Sequence, residues 1–380
     1  MGRILYLSWG VPPDTGGSAI IALNLAKQFR RDEMIVVGEK PCGKPPVAWS
    51  DQWPELIYIR SAWPFTRRGA RWWQLLQLPY MLLRCLQLVR RHNVDRIVAV
   101  YPDKLFLLAG YLTSRSTGIP LYAYFHNTYL DLMSGGLERR FAVWLQGRVF
   151  AKAKYVFVIS DGMLEYYREQ YPELKHSSLP HSFAEPLPQY TPPPPVGSPL
   201  RLVFCGNVNQ SCEDAAVRLA EAIAGCEDVR LSLLSGSNRG YLERLGILRD
   251  GVTCDAVPRD EIPRRLAEAD ILLLPHGLTG PEDWNVEYRT IFPTKTIEYL
   301  ISGRPILAHT PPGCFLTRFL TENDCALVVD KADVGELRDA IQRLRSDEQL
   351  RCRLVQNALI TAARFQGATV VAEFRKWLEN

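Results

Sequence analysis

The sequence predicts an α/β protein made of two Rossmann-like domains that face a cleft, and three observations predict it. Short runs of β-branched, leucine and aromatic residues alternate with longer amphipathic stretches along the whole chain, the pattern of parallel strands wrapped by helices. The stretch Pro186 to Pro199 is half proline, which favours an extended connector over a helix or central strand, and the alternation restarts beyond it. A length of 380 residues also exceeds what one hydrophobic core usually supports. The expected division is residues 1–185, a linker over 186–200, a second domain over 201–364, and a closing helical segment over 365–380.

In the first half, strands are expected at Ile4 to Ser8, Met34 to Gly38, Leu56 to Arg60, Arg96 to Tyr101, Leu121 to His126 and Tyr155 to Ser160, where apolar runs are too short for helices. Between them the 3.6-residue period predicts helices at Ser18 to Arg31, Trp72 to His92, Lys104 to Ser116, Gly136 to Ala153 and Gly162 to Gln170. The second half repeats the scheme, with strands at Leu202 to Cys205, Arg230 to Leu234, Val252 to Ala256, Ile271 to Pro275, Pro305 to His309 and Ala326 to Asp330. Its helices are expected at Asp214 to Gly225, Arg239 to Leu245, Asp260 to Ala269, Thr294 to Ser302, Asp333 to Leu344 and Asp347 to Arg364, followed by Ala368 to Leu378. Ligands of such sheets bind beyond the carboxyl ends of the strands, so the chemistry is expected in the cleft between the domains.

The hydrophobic fraction of 47% and charged fraction of 23% describe an ordinary globular chain, and a net charge of +4 is too small to argue for nucleic acid. Nine cysteines without a Cys-x-x-Cys pair or a zinc spacing indicate neither a disulfide framework nor a metal site, and fit a reducing cytoplasm. The apolar start after Met1 is too short for a signal peptide, and polar residues interrupt the stretch Trp72 to Val89, so no membrane span is expected. Charge is nevertheless unevenly spread. From Arg60 to Arg96 there are eight arginines and one carboxylate, Asp95, with Trp63, Trp72, Trp73 and Tyr80 among them. Such a patch, centred on Arg67, Arg68, Arg71, Trp72 and Trp73, either rests on anionic lipid at the inner face of the membrane or is a buried helix with a basic rim.

The most informative stretch runs from Phe292 through Pro293, Thr294, Lys295 and Glu298 to Gly303 and Pro305. Pro293 suits a first helical turn, Gly303 and Pro305 supply a stop, and the amides at Thr294 and Lys295 with the Lys295 charge form a place for an anion. Glu298 lies one turn further along the same side. Near the amino terminus, Gly16 and Gly17 permit close approach of a ligand to backbone, and Ser18 is placed to cap the helix that follows. His126, before Asn127, closes a strand at the mouth of the expected cleft, and Gly206-Asn207 occupies the turn that opens the second domain.

Together, in this order, the motifs resemble one branch of the retaining glycosyltransferases of family GT4, which reads Pro-x-Lys-x-x-Glu-Tyr-Leu-x-x-Gly-x-Pro at the signature helix. The resemblance implies the GT-B fold, with the last helix returning to the first domain. It implies transfer of a sugar from a nucleoside diphosphate sugar to a hydroxyl of a carbohydrate or lipid-linked acceptor, without a metal and with retention. By the same resemblance, His126 and Lys295 are the catalytic candidates, and Gly16, Gly17, Gly206, Asn207, Arg289, Thr294, Lys295 and Glu298 hold the donor, Glu298 at the ribose hydroxyls. Two departures stand out. Asn207 and Gln210 to Glu213 occupy the places where the family carries an Arg and a Lys on the diphosphate, and Thr290 replaces the first Glu of the Glu-x7-Glu pair. Trp284, Asn285 and Glu287 precede the signature helix, where donor selectivity is often set. A sugar-nucleotide epimerase and a non-catalytic nucleotide-sugar-binding relative are the rival readings.

Overall fold

The computed structural model describes residues 2–14, 16–40, 49–61, 70–133, 135–278 and 285–379. The chain forms two compact units, one from residues 1–185 with 365–380 and the other from 186–364. In the first unit, seven strands form one sheet: β1 (Arg3–Leu7), β2 (Met34–Lys40), β3 (Glu55–Ser61), β4 (Val94–Tyr101), β5 (Leu121–Phe125), β6 (Ala153–Val158) and β7 (His176–Ser178). They lie in the order β3-β2-β1-β4-β5-β6-β7, and every pair is parallel. Helices α1 (Gly17–Ala26), α2 (Ala70–His92), α3 (Lys104–Thr117), α4 (Gly136–Lys152) and α5 (Asp161–Gln170) make the crossovers, so β1, β4 and β5 are buried almost throughout.

The second unit has six parallel strands in the order β10-β9-β8-β11-β12-β13: β8 (Leu200–Cys205), β9 (Val229–Leu234), β10 (Val252–Asp255), β11 (Ile271–Pro275), β12 (Ile306–His309) and β13 (Leu327–Val329). Its helices are α6 (Glu213–Ala222), α7 (Arg239–Arg244), α8 (Ile262–Ala267), α9 (Asn285–Thr290), α10 (Lys295–Leu300), α11 (Phe315–Glu322), α12 (Val334–Ser346) and α13 (Glu348–Ala362). In both units the strand order reverses beside the first strand, between β1 and β4 and between β8 and β11. That reversal parts the loops at the carboxyl ends and leaves room for a ligand.

The last helix, α14 (Gly367–Glu379), packs on the first unit. Phe374 meets Phe29 edge-on at 6.2 Å between ring centres, and Trp377 stacks on Tyr155 at 4.5 Å. Its last turn is tied down as well: the Leu378 carbonyl accepts from Arg96 Nε at 3.0 Å and from the Tyr122 hydroxyl at 3.1 Å. Where the chain leaves and re-enters this unit, Phe183 and the Phe365–Gly367 segment exchange backbone hydrogen bonds of 3.1 and 2.8 Å.

Several elements differ from the sequence expectation. The single helix expected over Asp260 to Ala269 is a 3-10 turn, Arg259–Glu261, leading into α8, because Pro263 cannot donate within a continuous helix. Strand β7 and helices α9 and α11 were not expected. β7 is three polar residues that pair with β6 and pack beside α5, and α11 starts from Cys314, whose thiol accepts from the Thr317 amide at 3.4 Å in place of the usual capping oxygen.

Candidate functional site

In the second unit, Tyr299 sets the geometry of the signature helix. Thr296, Ile297, Tyr299 and Leu300 point inward, and the Tyr299 hydroxyl accepts the Cys205 amide at 2.7 Å, fastening α10 to the carboxyl end of β8. Thr294 already has helical angles and makes no side-chain cap, so the turn is closed instead by the Thr296 amide on the Pro293 carbonyl at 2.9 Å. With α10 held there, Lys295 extends across the end of β8. Its ammonium stands 4.1 Å from the centre of the Phe204 ring. A Cβ at Gly206 would lie 3.0 Å from Lys295 Nζ and 3.2 Å from Cε, and Gly206 has φ +122°, so both the space and the backbone demand glycine. Among the described residues no carboxylate is within ion-pair distance of Lys295, and Glu298 acts on it only at longer range. Burial pushes its pKa down from the usual lysine value. A desolvated cation with no ion pair among the described residues, at the point where the strand order reverses, has the chemistry to take an anion.

Glu298 faces the same end of β8, and Arg259 Nη2 donates to its Oε1 at 2.7 Å. Nothing in the sequence marked Arg259: 39 positions separate the pair, and an arginine in a Pro-Arg-Asp-Glu turn reads as a solvated charge. Asn207 carries out a local task with its carbonyl oxygen, which accepts the Gly236 amide at 3.1 Å and so joins the ends of β8 and β9. The helix after β8 is unsuited to a phosphate, because its first turn carries Glu213 and Asp214. Arg289 is exposed on α9, and among the described residues no hydrogen bond or ion pair joins it to Lys295. Thr290 is buried and bonds back to the Val286 carbonyl at 2.8 Å. Glu287 is buried one turn earlier, and Trp284 lies outside the described residues.

The loop after β11 is fixed to the loop after β8. The Gly277 amide donates to the Ser211 carbonyl at 2.7 Å, and the buried His276 reaches the Ser211 and Tyr288 carbonyls at 3.1 and 3.2 Å. Asp214 closes the arrangement by accepting from the Leu278 amide at 3.1 Å and from Arg218 at 2.7 Å. The two loops that flank the reversal point therefore form one hydrogen-bonded body.

In the first unit the structure joins two features that the sequence left apart. Helix α1 starts at Gly17, with Gly16 as a cap residue in extended conformation, so Ser18 lies within the first turn and does not cap it. Its hydroxyl turns instead to His126, 108 positions away, with Oγ 2.9 Å from Nδ1. His126 follows β5, its amide on the Tyr101 carbonyl at 3.1 Å and its ring edge-on to Tyr124 at 4.4 Å. The ring is 8% exposed, and Nε2 has no hydrogen-bond partner among the described residues. Burial, and then the nearby His181, push its pKa down to about 3, so the imidazole is neutral at physiological pH.

The basic patch is divided by the structure. Its two ends are internal ties: Arg60 is buried between Glu39 and Asp103, and Arg96 binds Leu378 and Asp95. Arg67 and Arg68 lie outside the described residues, and Arg71, Trp72 and Trp73 fall in the first turn of α2. Further along α2, Met81, Cys85 and Leu88 are buried while Leu76, Tyr80 and Leu83 are exposed at helical spacing. One helix thus serves the core and carries an outer apolar stripe. Leu137, Val143 and Trp144 on α4 are also exposed, on a helix that carries the exposed Arg140 and Arg148. Among the described residues no helix is long and apolar enough to cross a membrane.

Comparison with known proteins matches the first unit to the glycosyl transferase 4-like domain over residues 16–175, and the second to the glycosyl transferases group 1 domain over residues 199–347. No curated protein sequence matches the chain. Among solved structures, a sucrose-phosphate synthase from Thermosynechococcus elongatus superposes with a TM-score of 0.77 at 15% identity, covering 100% of this chain and 98% of that one. Anabaena HepE, in complex with UDP and glucose, gives 0.72 at 19% identity over 100% of both chains. A glycosyltransferase from Rickettsia africae gives 0.67 at 13% identity, covering 100% of this chain and 98% of that one. Both units and their order along the chain are those of the GT-B fold.

Proposed function

We propose that this chain, a glycosyltransferase of the GT-B fold, moves a sugar from a nucleoside diphosphate sugar to an acceptor hydroxyl with retention at the anomeric carbon. The observation that carries the reading is Lys295, a desolvated ammonium without a carboxylate partner among the described residues, set against Gly206 at the reversal point of the second sheet. The donor diphosphate rests there, with the ribose toward Glu298, and HepE, solved with UDP and glucose, supports a ligand of this class. In the reaction the bond from the anomeric carbon to the phosphate oxygen breaks as the bond to the acceptor oxygen forms on the same face. The acceptor proton passes to the departing phosphate oxygen, so no protein nucleophile is required. Lys295 stabilises the charge that grows on the leaving group. His126 is neutral: with the Ser18 hydroxyl donating to Nδ1, its Nε2 hydrogen is offered to a sugar hydroxyl.

Incubating the purified protein with UDP-glucose and the other common nucleoside diphosphate sugars, with and without carbohydrate or lipid-linked acceptors, tests this reading. Release of nucleoside diphosphate that requires an acceptor is the expected result. An altered sugar nucleotide without release would make the chain an epimerase, and tight binding without turnover would make it a non-catalytic relative.

The basic patch places the acceptor at a membrane surface on this reading, and the stripe of Leu76, Tyr80 and Leu83 supplies the apolar part. On this reading the protein sediments with anionic vesicles. Changing Arg67, Arg68 and Arg71 together to Gln weakens that binding by roughly fivefold per arginine. A wild-type protein that stays in the supernatant removes the membrane role.

A further inference from the structure

We infer that Arg259 is the positioning residue for nucleoside recognition: it holds the Glu298 carboxylate in the orientation that reads the ribose of the donor. The inference rests on the nucleotide-sugar reading above and concerns the same site. A carboxylate on an exposed helix face has several rotamers and is surrounded by water, and a hydrogen bond from it to a ribose hydroxyl must pay for fixing it. Here Arg259 has already fixed it. Nη2 of Arg259 takes Glu298 Oε1 at 2.7 Å, a charge-assisted contact, and Oε2 has no partner among the described residues. The Glu298 side chain is 21% exposed and the Arg259 side chain 40%, so the pair is open to a ligand while the carboxylate is partly desolvated.

The local fold explains why an arginine is at this place. Pro258 opens the 3-10 turn Arg259–Glu261, so the side chain of its first residue projects from a rigid base at the end of the β10 connection. Glu298 comes from α10, fastened through Tyr299 to β8. Two separately anchored elements meet at the pair. Around it lie Lys295 and the Cys205 thiol, and burial together with the Glu298 charge pushes that thiol up to about 11, so it contributes no negative charge at neutral pH. The pair is neutral overall, which leaves Lys295 as the excess charge for the phosphates. Arg259 therefore acts through Glu298 on the sugar of the nucleoside.

The test measures binding of the tightest of UDP, GDP, ADP and CDP, and of its 2′-deoxy counterpart, to the full chain by calorimetry. The wild type is expected to prefer the ribonucleotide by on the order of tenfold, the value of one hydrogen bond to a charged group. Arg259→Gln should reduce that preference to within about twofold by weakening the ribonucleotide alone. Arg259→Lys should restore part of it, and Glu298→Gln should erase it in the same way as Arg259→Gln. Equal weakening of both ligands by Arg259→Gln would overturn the inference in favour of a phosphate contact, and an unchanged preference would reduce the pair to a surface salt bridge. If no nucleoside diphosphate binds the wild type, the functional reading itself fails, and the inference with it.

Discussion

Lys295→Met is expected to lower turnover by roughly a hundredfold to a thousandfold, the usual effect of removing a preorganised group that stabilises a charged leaving group in a water-poor site. Affinity for the nucleoside diphosphate should fall with it, by about tenfold to a hundredfold, because the product carries the same phosphates. Methionine is chosen because it keeps the length of the side chain, and its thioether packs over the Phe204 ring where the ammonium now stands 4.1 Å from the centre. Stability should then move the other way. The wild type bears the cost of a desolvated ammonium with no carboxylate partner among the described residues, and the variant does not. The signature is a melting temperature equal to or above that of the wild type, combined with lost turnover and weak product binding. Calorimetric titration, a thermal melt and a steady-state assay measure the three quantities. Normal affinity in a stable variant would leave Lys295 without a role at the diphosphate.

The same reasoning shows which features of the chain are legible in its sequence. Ile271–Pro275 is read correctly from residues alone, since a short Ile-Leu-Leu-Leu run bounded by Asp270 and His276 has room for little but a buried strand. The signature helix is legible from Pro293 at one end and Gly303 at the other, within a residue of its observed start. β7 is not legible, because His176-Ser177-Ser178 has no strand propensity of its own and exists through its pairing with β6. α11 is not legible, because it starts from a Cys314 thiol and not from a Ser, Thr, Asp or Asn oxygen. Within the site, residue types were legible and their partners were not. Ser18 reads as a helix cap in any sequence, and only the fold brings His126 within 2.9 Å to claim its hydroxyl. Arg259 carries no local sign of Glu298. Arg60, one end of the basic stretch by composition, is buried between Glu39 and Asp103. Contacts across a parallel sheet join residues tens of positions apart, so period and propensity, which are local, are silent about them.

Arg60→Met is expected to cost the first unit about 3–5 kcal/mol at neutral pH, the usual result of removing one partner from a buried ion network. Arg60 lies near the end of β3, where the register shift between Gly38 and Glu39 brings it opposite Glu39 on β2. Its Nε donates to Glu39 and its Nη2 to Asp103 Oδ2 at 2.7 Å, while the guanidinium sits 4.9 Å above the Phe106 ring. Asp103 in turn caps α3, accepting the Leu105 and Phe106 amides at 2.8 and 3.0 Å. One side chain, 2% exposed, thereby ties two strands and a helix start at the carboxyl end of the sheet. Methionine fills most of the space but leaves two carboxylates facing each other without a cation. The pH dependence follows from their titration. Burial already raises the Glu39 pKa above the usual carboxylate value despite Arg60, and removing the cation raises it further. A carboxyl whose pKa is higher in the folded state than in the unfolded chain destabilises above that folded value, and the deficit is relieved as pH falls toward about 4.3, the unfolded value. The gap between wild type and variant should thus be widest near pH 7 and shrink measurably by pH 5. Adding Glu39→Gln to Arg60→Met should recover part of the loss at pH 7 and flatten the dependence, since one unpaired charge is gone. Urea unfolding of the three proteins at both pH values measures it, and a cost under about 1 kcal/mol for Arg60→Met would mean that water, not the guanidinium, balances these carboxylates.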